Sequence, residues 1–421
     1  MSMSALDPAP QADDEQSPAG RPLPDIASAR HINHTPFPSQ YYQTVDQHGE
    51  AFHVVATRIT YDMRQLWGDG YLGYAEHQTE LATSDVWDGA VNESSPLWES
   101  DYAPYKPRCD VLVAHAVSRP DKSLWEHISG ASAGSARRWP CSIALRWQDE
   151  EGQRRTWHKQ LIATGPRTHG LLGAVSQPEP AQQTTIHWQN AFGGQLKEPA
   201  TDQFDRRGQL TQAAGSKRWQ TDERNPVGCG LDKSRGKPAP RLEVAGGAPY
   251  SGQSDYPPIS LTAVGKAWLP RRLRAGTHDQ RWRDEQWPLP PLDFDYAYWN
   301  CAPPDQQIDY PTPGAQLDLL GLYPPHASPG WPEHFSAKLP PHQLFVHAYV
   351  PSTRGVGPDL LAKLDTLVID MQALQVYAIH RVVLNAVDLP LESAPLVLET
   401  RLAPSARMNE SVPANELGPL G

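Results

Sequence analysis

Two aspartates, Asp293 and Asp295, lie one residue apart within residues 287–307, and Asp305 follows in the same segment. Tryptophan, tyrosine and proline residues surround all three acids. Paired carboxyl groups among aromatic rings are typical of glycoside hydrolases, in which the two groups lie about 5–9.5 Å apart. In an extended strand the two side chains would point the same way, at about twice the 3.3 Å rise per residue, so the spacing permits this chemistry.

The same segment has a simpler interpretation as a stiff surface loop. A glycosidase needs one acid that is buried and raised in pKa, and nothing in the sequence indicates such burial. The prolines before Asp293 are typical of a polyproline II segment, which would turn Phe294 inward and both aspartates outward. The loop is the favoured interpretation. A carbohydrate-active hydrolase or sugar-binding module that uses Asp293, Asp295 and nearby aromatics is the alternative.

Other catalytic motifs are weak or missing. Gly130, Ser132 and Gly134 match the GxSxG pattern of a nucleophile elbow, which needs a strand before the serine and a helix after it. The preceding SLWEHI is a poor strand and Pro140 would end a helix early, so a linker of small residues explains the match better. The sequence contains no GxxxxGK[ST] phosphate loop and no HExxH zinc motif. It therefore predicts no catalytic residue, no cofactor and no metal site, in a protein that is not an enzyme.

The amino-acid composition limits the kinds of molecule that this protein is expected to bind. The 421 residues carry a formal net charge of −11, which disfavours binding to nucleic acid or to an anionic membrane. Four widely spaced cysteines fit a reducing cytosol. The N-terminus lacks a signal-peptide pattern, and no stretch approaches the about 20 apolar residues of a membrane span, so we expect a soluble, cytoplasmic protein. A basic cluster is better explained by a solvated face or by pairs with neighbouring acids; it comprises Arg271, Arg272, Arg274, Arg281 and Arg283.

Alternating apolar residues predict strands at residues 50–63, 108–118 and 343–350. Residues 141–163 predict a hairpin around an acidic turn. Residues 364–384 favour a second hairpin over a single helix, because β-branched residues are frequent there. With 43 prolines and little helical periodicity, the sequence predicts a mainly β fold, with β-sandwich-like antiparallel sheets, long Pro/Gly-rich loops and few helices.

We expect four parts along the chain. Residues 1–30 predict a disordered leader, because they are polar and interrupted by prolines. Residues 31–175 predict an N-terminal β-sandwich-like region, and residues 176–395 a β-rich region with long loops. Residues 396–421 are predicted to form a C-terminal tail.

Two glycine-containing phrases in the second region predict sharp turns. WQNAFGG, residues 188–194, ends a strand with glycines that permit a positive φ. ERNPVGCG, residues 223–230, places Pro226 and Gly228 where a type I turn needs them. Either phrase alone indicates no more than the structure of a loop.

Taken together, the phrases of this sequence resemble a known family. NAFGG, NPVGCG, AGTHDQRW, WPLPPLDFDYAYWNCAPPDQQ and LDTLVID, with the earlier ESDYAPYKPRCDVLV, are similar to the bacterial domain of unknown function 2169 family over roughly residues 31–384. That family is encoded beside type VI secretion spike proteins and PAAR-tipped toxins. The resemblance implies an adaptor or chaperone that binds a toxin effector, at its PAAR-like or N-terminal region, and loads it onto the spike trimer. It implies no catalytic activity, cofactor or agreed active site.

The matching residues become the predicted family-motif and partner-binding positions. His278 and His380 depart from the tyrosine and tryptophan that are usual in the family. We expect Phe294 and the rings after it to be partly anchored in the core, while Asp293 and Asp295 cap turns or meet a basic partner. A structural component of the secretion baseplate is a third possibility. The predicted positions are Asn190, Phe192, Gly193, Gly194, Asn225, Pro226, Gly228, Gly230, Asp279, Trp282, Asp293, Phe294, Asp295, Trp299, Asp305 and Gln306.

Overall fold

The computed structural model describes residues between positions 29 and 404. The described ranges are 29–118, 137–149, 151–181, 183–198, 203–204, 207, 209–212, 218–253, 255–326, 330–351, 357–385 and 396–404. The predicted leader up to residue 28 and the GxSxG match at residues 130–134 lie outside these ranges.

The structure is mainly β, with 43% strand and 8% helix, which confirms the predicted fold class. Among the described residues, a short α-helix, α1, covers Leu269–Arg272. Short 3-10 turns cover Leu171–Gly173, Trp188–Asn190, Tyr296–Trp299 and Pro304–Gln306, and a π turn covers Trp282–Gln286. The described strands are β1 (Arg30–Asn33), β2 (Ser39–Val45), β3 (Ala51–Trp67), β4 (Tyr71–Tyr74), β5 (Val86–Trp87), β6 (Pro96–Trp98), β7 (Cys109–Ala114), β8 (Val117–Ser118), β9 (Arg138–Gln148), β10 (Arg154–Thr164), β11 (Thr184–Thr185), β12 (Phe192–Gly193), β13 (Gln195–Glu198), β14 (Gln203–Phe204), β15 (Leu210–Gln212), β16 (Arg218–Thr221), β17 (Cys229–Gly230), β18 (Leu242–Val244), β19 (Gln307–Ile308), β20 (Gln316–Leu320), β21 (His334–Lys338), β22 (His342–Tyr349), β23 (Asp359–Leu361), β24 (Lys363–Asp370), β25 (Gln375–Asn385) and β26 (Val397–Pro404).

A 12-stranded sheet forms the centre of the molecule. Its order is β18-β10-β9-β20-β21-β4-β3-β25-β24-β7-β19, and β2 pairs with β3. The β21–β4 and β24–β7 pairings are parallel, whereas the other neighbours are antiparallel, so the sheet is mixed. Strands from the predicted regions 31–175 and 176–395 alternate along this order, so both regions contribute to one sheet.

A four-stranded sheet, in the order β1-β26-β22-β23, packs on the large sheet. One buried cluster joins Leu344 and Val346 of β22 and Leu398 of β26 to Ile59 of β3 and Leu364 of β24. Two sheets that share one apolar layer have a sandwich-like arrangement. Strand β26 comes from the stretch that we predicted as a C-terminal tail, and β1 pairs with it in parallel.

Both predicted hairpins are confirmed. Strands β9 and β10 pair along their whole lengths, and Asp149 N donates to Gln153 O (2.9 Å) in the turn between them. Strands β24 and β25 pair around a turn in which the amides of Gln372 and Ala373 donate to Asp370 Oδ1 (2.9 and 3.0 Å). The single-helix alternative for residues 364–384 is wrong, because the β-branched residues of the two runs face each other across the ladder.

Candidate functional site

The two glycine-containing phrases fold against each other. Strand β12 pairs in parallel with β17, and the amide of Gly194 donates to Asn225 O (2.8 Å). A Cβ atom on Gly194, whose φ is +94°, would lie 2.3 Å from Gly228 O, so no other residue fits there. Gly228 N donates to Asn225 O (3.3 Å), which closes the turn predicted around Pro226. The glycines therefore bring two backbone segments into direct contact.

The polar and aromatic residues of these phrases lie inside the fold. Asn225 is fully buried, and its Nδ2 donates to Trp188 O (2.9 Å) and to Phe192 O (2.8 Å). Phe192 is also fully buried and packs with Tyr250. Asn190 Nδ2 donates to Thr185 O (2.9 Å). These predicted positions hold a loop in shape and present little side chain to a partner.

The acids of the next motif segment cap local turns. Asp293 accepts hydrogen bonds from the amide and hydroxyl of Thr277 (2.9 and 2.8 Å). Asp279 accepts from the amide of Trp282 (2.8 Å), whose indole donates to Leu289 O (3.0 Å). Asp295 caps the 3-10 turn Tyr296–Trp299 by accepting from Ala297 N (2.8 Å).

These contacts do not create a general acid. Hydrogen bonds from Thr277 lower the pKa of Asp293, whereas a glycosidase acid needs a raised pKa. Asp295 is exposed and lies 3.9 Å from Arg274 Nε. Both oxygens of Asp293 accept hydrogen bonds from Thr277, and Oδ1 of Asp295 accepts from the turn that it caps.

Asp305 and Gln306, at the end of residues 287–307, join this segment to the large sheet. Gln306 is fully buried, and its Nε2 donates to Val111 O (2.9 Å) and Leu261 O (3.2 Å). Asp305 forms an ion pair with Lys159, and its backbone oxygen accepts from the indole of Trp157 (2.7 Å). Both residues therefore fix the loop on strands β7 and β10.

A buried carboxylate that sequence reasoning missed organises the same loop. Asp110 on β7 is fully buried and accepts from Lys106 Nζ (2.8 Å), Asn300 Nδ2 (3.0 Å) and the amides of Cys301 (2.9 Å) and Ala302 (3.1 Å). Burial disfavours the Lys106 ammonium, but the charge of Asp110, followed by Cys301 and Asp365, raises its pKa overall. The available signal was an aspartate within the apolar run CDVLV.

Further buried ion pairs lie within and beside the central strands. Arg58 donates to Asp101 (2.9 Å), and Arg381 donates to Asp365 (2.5 Å). Arg271, a member of the predicted basic cluster, forms a two-contact pair with Glu99, with Nη2 and Oε2 at 3.0 Å. The predicted internal pairing of that cluster is therefore found at Arg271, and its charge is not available to a nucleic acid.

Six rings lie near one another at the surface, on residues 102–105 and on residues 287–307, which we call the motif loop. We call these rings the aromatic surface: Tyr102, Tyr105, Phe294, Tyr296, Tyr298 and Trp299. Tyr105 packs edge-on against Tyr296 (5.9 Å between centroids), and Phe294 contacts both Tyr296 (5.4 Å) and Tyr298 (5.7 Å). Tyr298 in turn contacts Trp299 (5.6 Å). Tyr102 and Tyr105 are exposed, and the other four rings are half-buried.

A cavity of about 410 Å³ lies at one end of the aromatic surface, between Tyr102 and Trp299. Its polar lining includes Lys266, which pairs with Asp85 (2.9 Å) and approaches Glu99 (3.8 Å). The charges at this end are therefore paired within the protein. The exposed rings of Tyr102 and Tyr105 remain accessible for contact.

Large apolar side chains are also exposed on the segment that precedes the rings. Leu273 is 74% exposed, Leu292 63% and Trp287 46%. The segment is held by its backbone, because Asp295 N donates to Arg274 O (3.0 Å). Exposed apolar side chains on a fixed loop are typical of an interaction surface.

The described residues include no group of three or more His, Cys, Asp and Glu side chains that could hold a metal ion. Within the same residues, no helix has the length and apolar character needed to cross a membrane.

The fold and the site define a class of protein, a β-rich protein in which buried polar motifs hold long loops and the loops carry exposed rings. A family model described as "Uncharacterized protein conserved in bacteria (DUF2169)" matches residues 48–381, and the chain belongs to this family. The comparisons with curated proteins and with solved structures find no match.

Proposed function

We propose that this protein is an adaptor that binds a type VI secretion toxin effector, at its PAAR-like or N-terminal region, and promotes its loading onto the spike trimer. The observation that carries the proposal is the aromatic surface. Tyrosine and tryptophan are the residues that most often dominate binding energy at protein interfaces. Here two exposed tyrosines and four half-buried rings lie on segments that a buried ion pair and buried hydrogen bonds hold in place.

The arrangement of the polar groups supports binding over catalysis. Asp293 and Asp295 cap turns, Asp305 pairs with Lys159, and Asp110 is enclosed by four donors. A catalytic site needs a nucleophile or base with a free position beside it. Both carboxylate oxygens of Asp293 and of Asp110 accept hydrogen bonds, which supports a structural role for these two acids.

Co-purification with a candidate type VI toxin effector from the same organism tests the proposal. The double variant Tyr102→Ala, Trp299→Ala removes two rings of the aromatic surface and is expected to weaken binding about 30-fold, as hot-spot residues do. Tyr71→Ala, a half-buried ring on β4, serves as the matched control and should leave binding unchanged.

The readouts are the Kd for the purified toxin and the amount of toxin secreted by a strain that carries each variant. Thermal unfolding establishes that each variant is folded. The adaptor role fails if the toxin is soluble, loads onto the spike and is secreted normally in a strain that lacks this chain.

A further inference from the structure

Three groups of the aromatic surface are hydrogen-bond donors that the chain itself leaves unused. The indole of Trp299 and the hydroxyls of Tyr102 and Tyr298 form no hydrogen bond with the described residues. The indole of Trp282, in contrast, donates to a backbone carbonyl (3.0 Å). None of the three groups is enclosed in the way that the unpartnered indole nitrogen of Trp98 is, so all three can meet a partner at the surface.

The charged groups beside these donors are paired within the chain. Asp85, Glu99 and Lys266 are the charged residues that line the cavity at one end of the aromatic surface. Lys266 Nζ donates to both oxygens of Asp85 (2.9 Å each), and Glu99 Oε2 accepts from Arg271 Nη2 (3.0 Å). A charged partner group would have to displace one of these pairs, whereas a neutral group would leave both intact. The cavity therefore favours a neutral occupant.

A proline-rich segment is neutral and supplies the acceptors that these donors require. In the polyproline II conformation the backbone makes no internal hydrogen bonds, so its carbonyl oxygens are free to accept. Proline has no backbone N–H, so such a segment brings few donors of its own. Segments of this kind dock in grooves lined by aromatic side chains, and because they are already extended they lose little entropy on binding.

The spacing of the rings suits the repeat of a polyproline II segment. Neighbouring centroids lie 5.4–5.9 Å apart along a row of five rings: Tyr105, Tyr296, Phe294, Tyr298 and Trp299. A polyproline II helix has three residues per turn and a rise of about 3.1 Å, so prolines on one face recur about every 9 Å. This repeat lies between one and two steps along the row. Prolines three residues apart can therefore pack on different rings, and the cavity of about 410 Å³ beside Trp299 has room for one of them.

A saccharide is the other ligand that packs on aromatic rings, and the polar groups favour it less. Each sugar hydroxyl has an O–H group that needs an acceptor, as well as oxygen lone pairs that need donors. The carboxylates of Asp85 and Glu99, the strongest acceptors in the cavity, already accept from cations of the chain. The free groups are donors, which a chain of backbone carbonyls satisfies more fully.

We propose that the aromatic surface binds a proline-rich segment of the effector in the polyproline II conformation. The prolines pack on the rings, and the Trp299 indole and the Tyr102 hydroxyl donate to backbone carbonyls of the segment. This inference rests on the proposed adaptor function and names the chemistry of the partner segment.

A labelled decaproline peptide tests the site without any effector. Fluorescence anisotropy of the labelled peptide, titrated with the full chain, should show saturable binding. A Gly-Ser peptide of the same length and charge is the control and should not bind, because it has no preformed extended helix and no rings to pack. Absence of saturable decaproline binding, or equal binding of the two peptides, would overturn the proposal.

Substitutions that keep each ring test the proposed hydrogen bonds. Trp299→Phe and Tyr102→Phe each remove one donor and should weaken decaproline binding about fivefold, the effect of one lost hydrogen bond. Tyr71→Phe removes a hydroxyl from a half-buried ring on β4 and should leave binding unchanged. Thermal unfolding establishes that all three variants are folded. Unchanged affinity in both Trp299→Phe and Tyr102→Phe would contradict the proposed contacts.

Competition between decaproline and the effector separates the two proposals. Excess decaproline should displace the effector from the unmodified chain. If the effector binds and the peptide does not displace it, the proline-rich segment is wrong and the adaptor function stands. If the peptide binds as expected but the chain binds no effector, the adaptor function fails, and the assignment of the segment to the effector fails with it.

Two further probes identify other occupants. Cellopentaose that binds where decaproline does not, with the affinity reduced by Trp299→Phe, would show a saccharide site and overturn the proposal. Decaproline that converts a dimer of the free chain into a monomer, measured by analytical ultracentrifugation, would identify a second copy as the occupant, which also contradicts it.

Discussion

At the scale of single residues, the strongest constraint on the motif loop is a buried charge. Asp110 is fully buried and is surrounded by an ammonium group, an amide side chain and two backbone amides. Removing an ion from water costs several kcal/mol, and only close and complete hydrogen bonding offsets that cost. Asp110 therefore favours a single position for residues 300–302, which directly follow the rings of the aromatic surface.

Asp110→Asn is expected to lower the free energy of unfolding by about 3–5 kcal/mol, because it leaves the buried Lys106 ammonium without its charged partner. Asp309→Asn is the matched control. Asp309 is 73% exposed and pairs with Arg108 at 3.2 Å, so its loss should cost about 0–1 kcal/mol. Urea unfolding measures both values, and losses of equal size would contradict the role given to Asp110.

Sequence reasoning located the exposed acids of the loop but not the buried one. Asp293 and Asp295 attracted attention because they lie one residue apart among aromatic side chains. Asp110 lies in an apolar run, and its donors Asn300, Cys301 and Ala302 are 190–192 residues away in the chain. Local spacing cannot reveal a site whose parts meet only after the sheet has formed.

At the scale of elements, two loops are in close backbone contact at glycine residues. A side chain at Gly194 would clash with the other loop. Gly194 has φ +94°, and a Cβ atom there would lie 2.3 Å from Gly228 O. Gly236 has a similar φ of +83°, but a Cβ atom there would meet nothing within 4 Å. The two positions share the same backbone strain and differ in the close contact.

Gly194→Ala is expected to lower the free energy of unfolding by about 2–5 kcal/mol, from backbone strain and overpacking together. Gly236→Ala should cost about 1–2 kcal/mol, from the strain alone. Thermal or urea unfolding of the two purified variants gives the comparison. A Gly194→Ala variant as stable as Gly236→Ala would show that the contact between the loops contributes little.

Elements formed by neighbouring residues were predictable, and elements that join distant residues were not. The hairpins β9–β10 and β24–β25 follow from alternating apolar residues on either side of a turn. The four-stranded sheet pairs residues 30–33 with residues 397–400, from opposite ends of the chain. Such a pairing leaves no mark in local periodicity, and it places β26 in a stretch that we had predicted as a tail.

At the scale of the whole molecule, two sheets share one core and carry the motif loop at their surface. Most family-motif residues lie within turns, backbone contacts and buried hydrogen bonds. The aromatic surface, with two exposed and four half-buried rings, and the exposed apolar side chains beside it lie at the surface. In the proposed adaptor, the motifs hold the surface rigid and the rings bind the effector, so that little conformational entropy is lost on binding.

Amide hydrogen–deuterium exchange of the full chain, alone and with saturating effector, tests directly whether the aromatic surface binds another polypeptide. An unrelated protein at the same concentration is the control. We predict slower exchange on effector binding at residues 102–105 and 292–299, with little change along β9 and β10. Unchanged exchange in those two segments, together with protection elsewhere, would contradict the proposed binding surface.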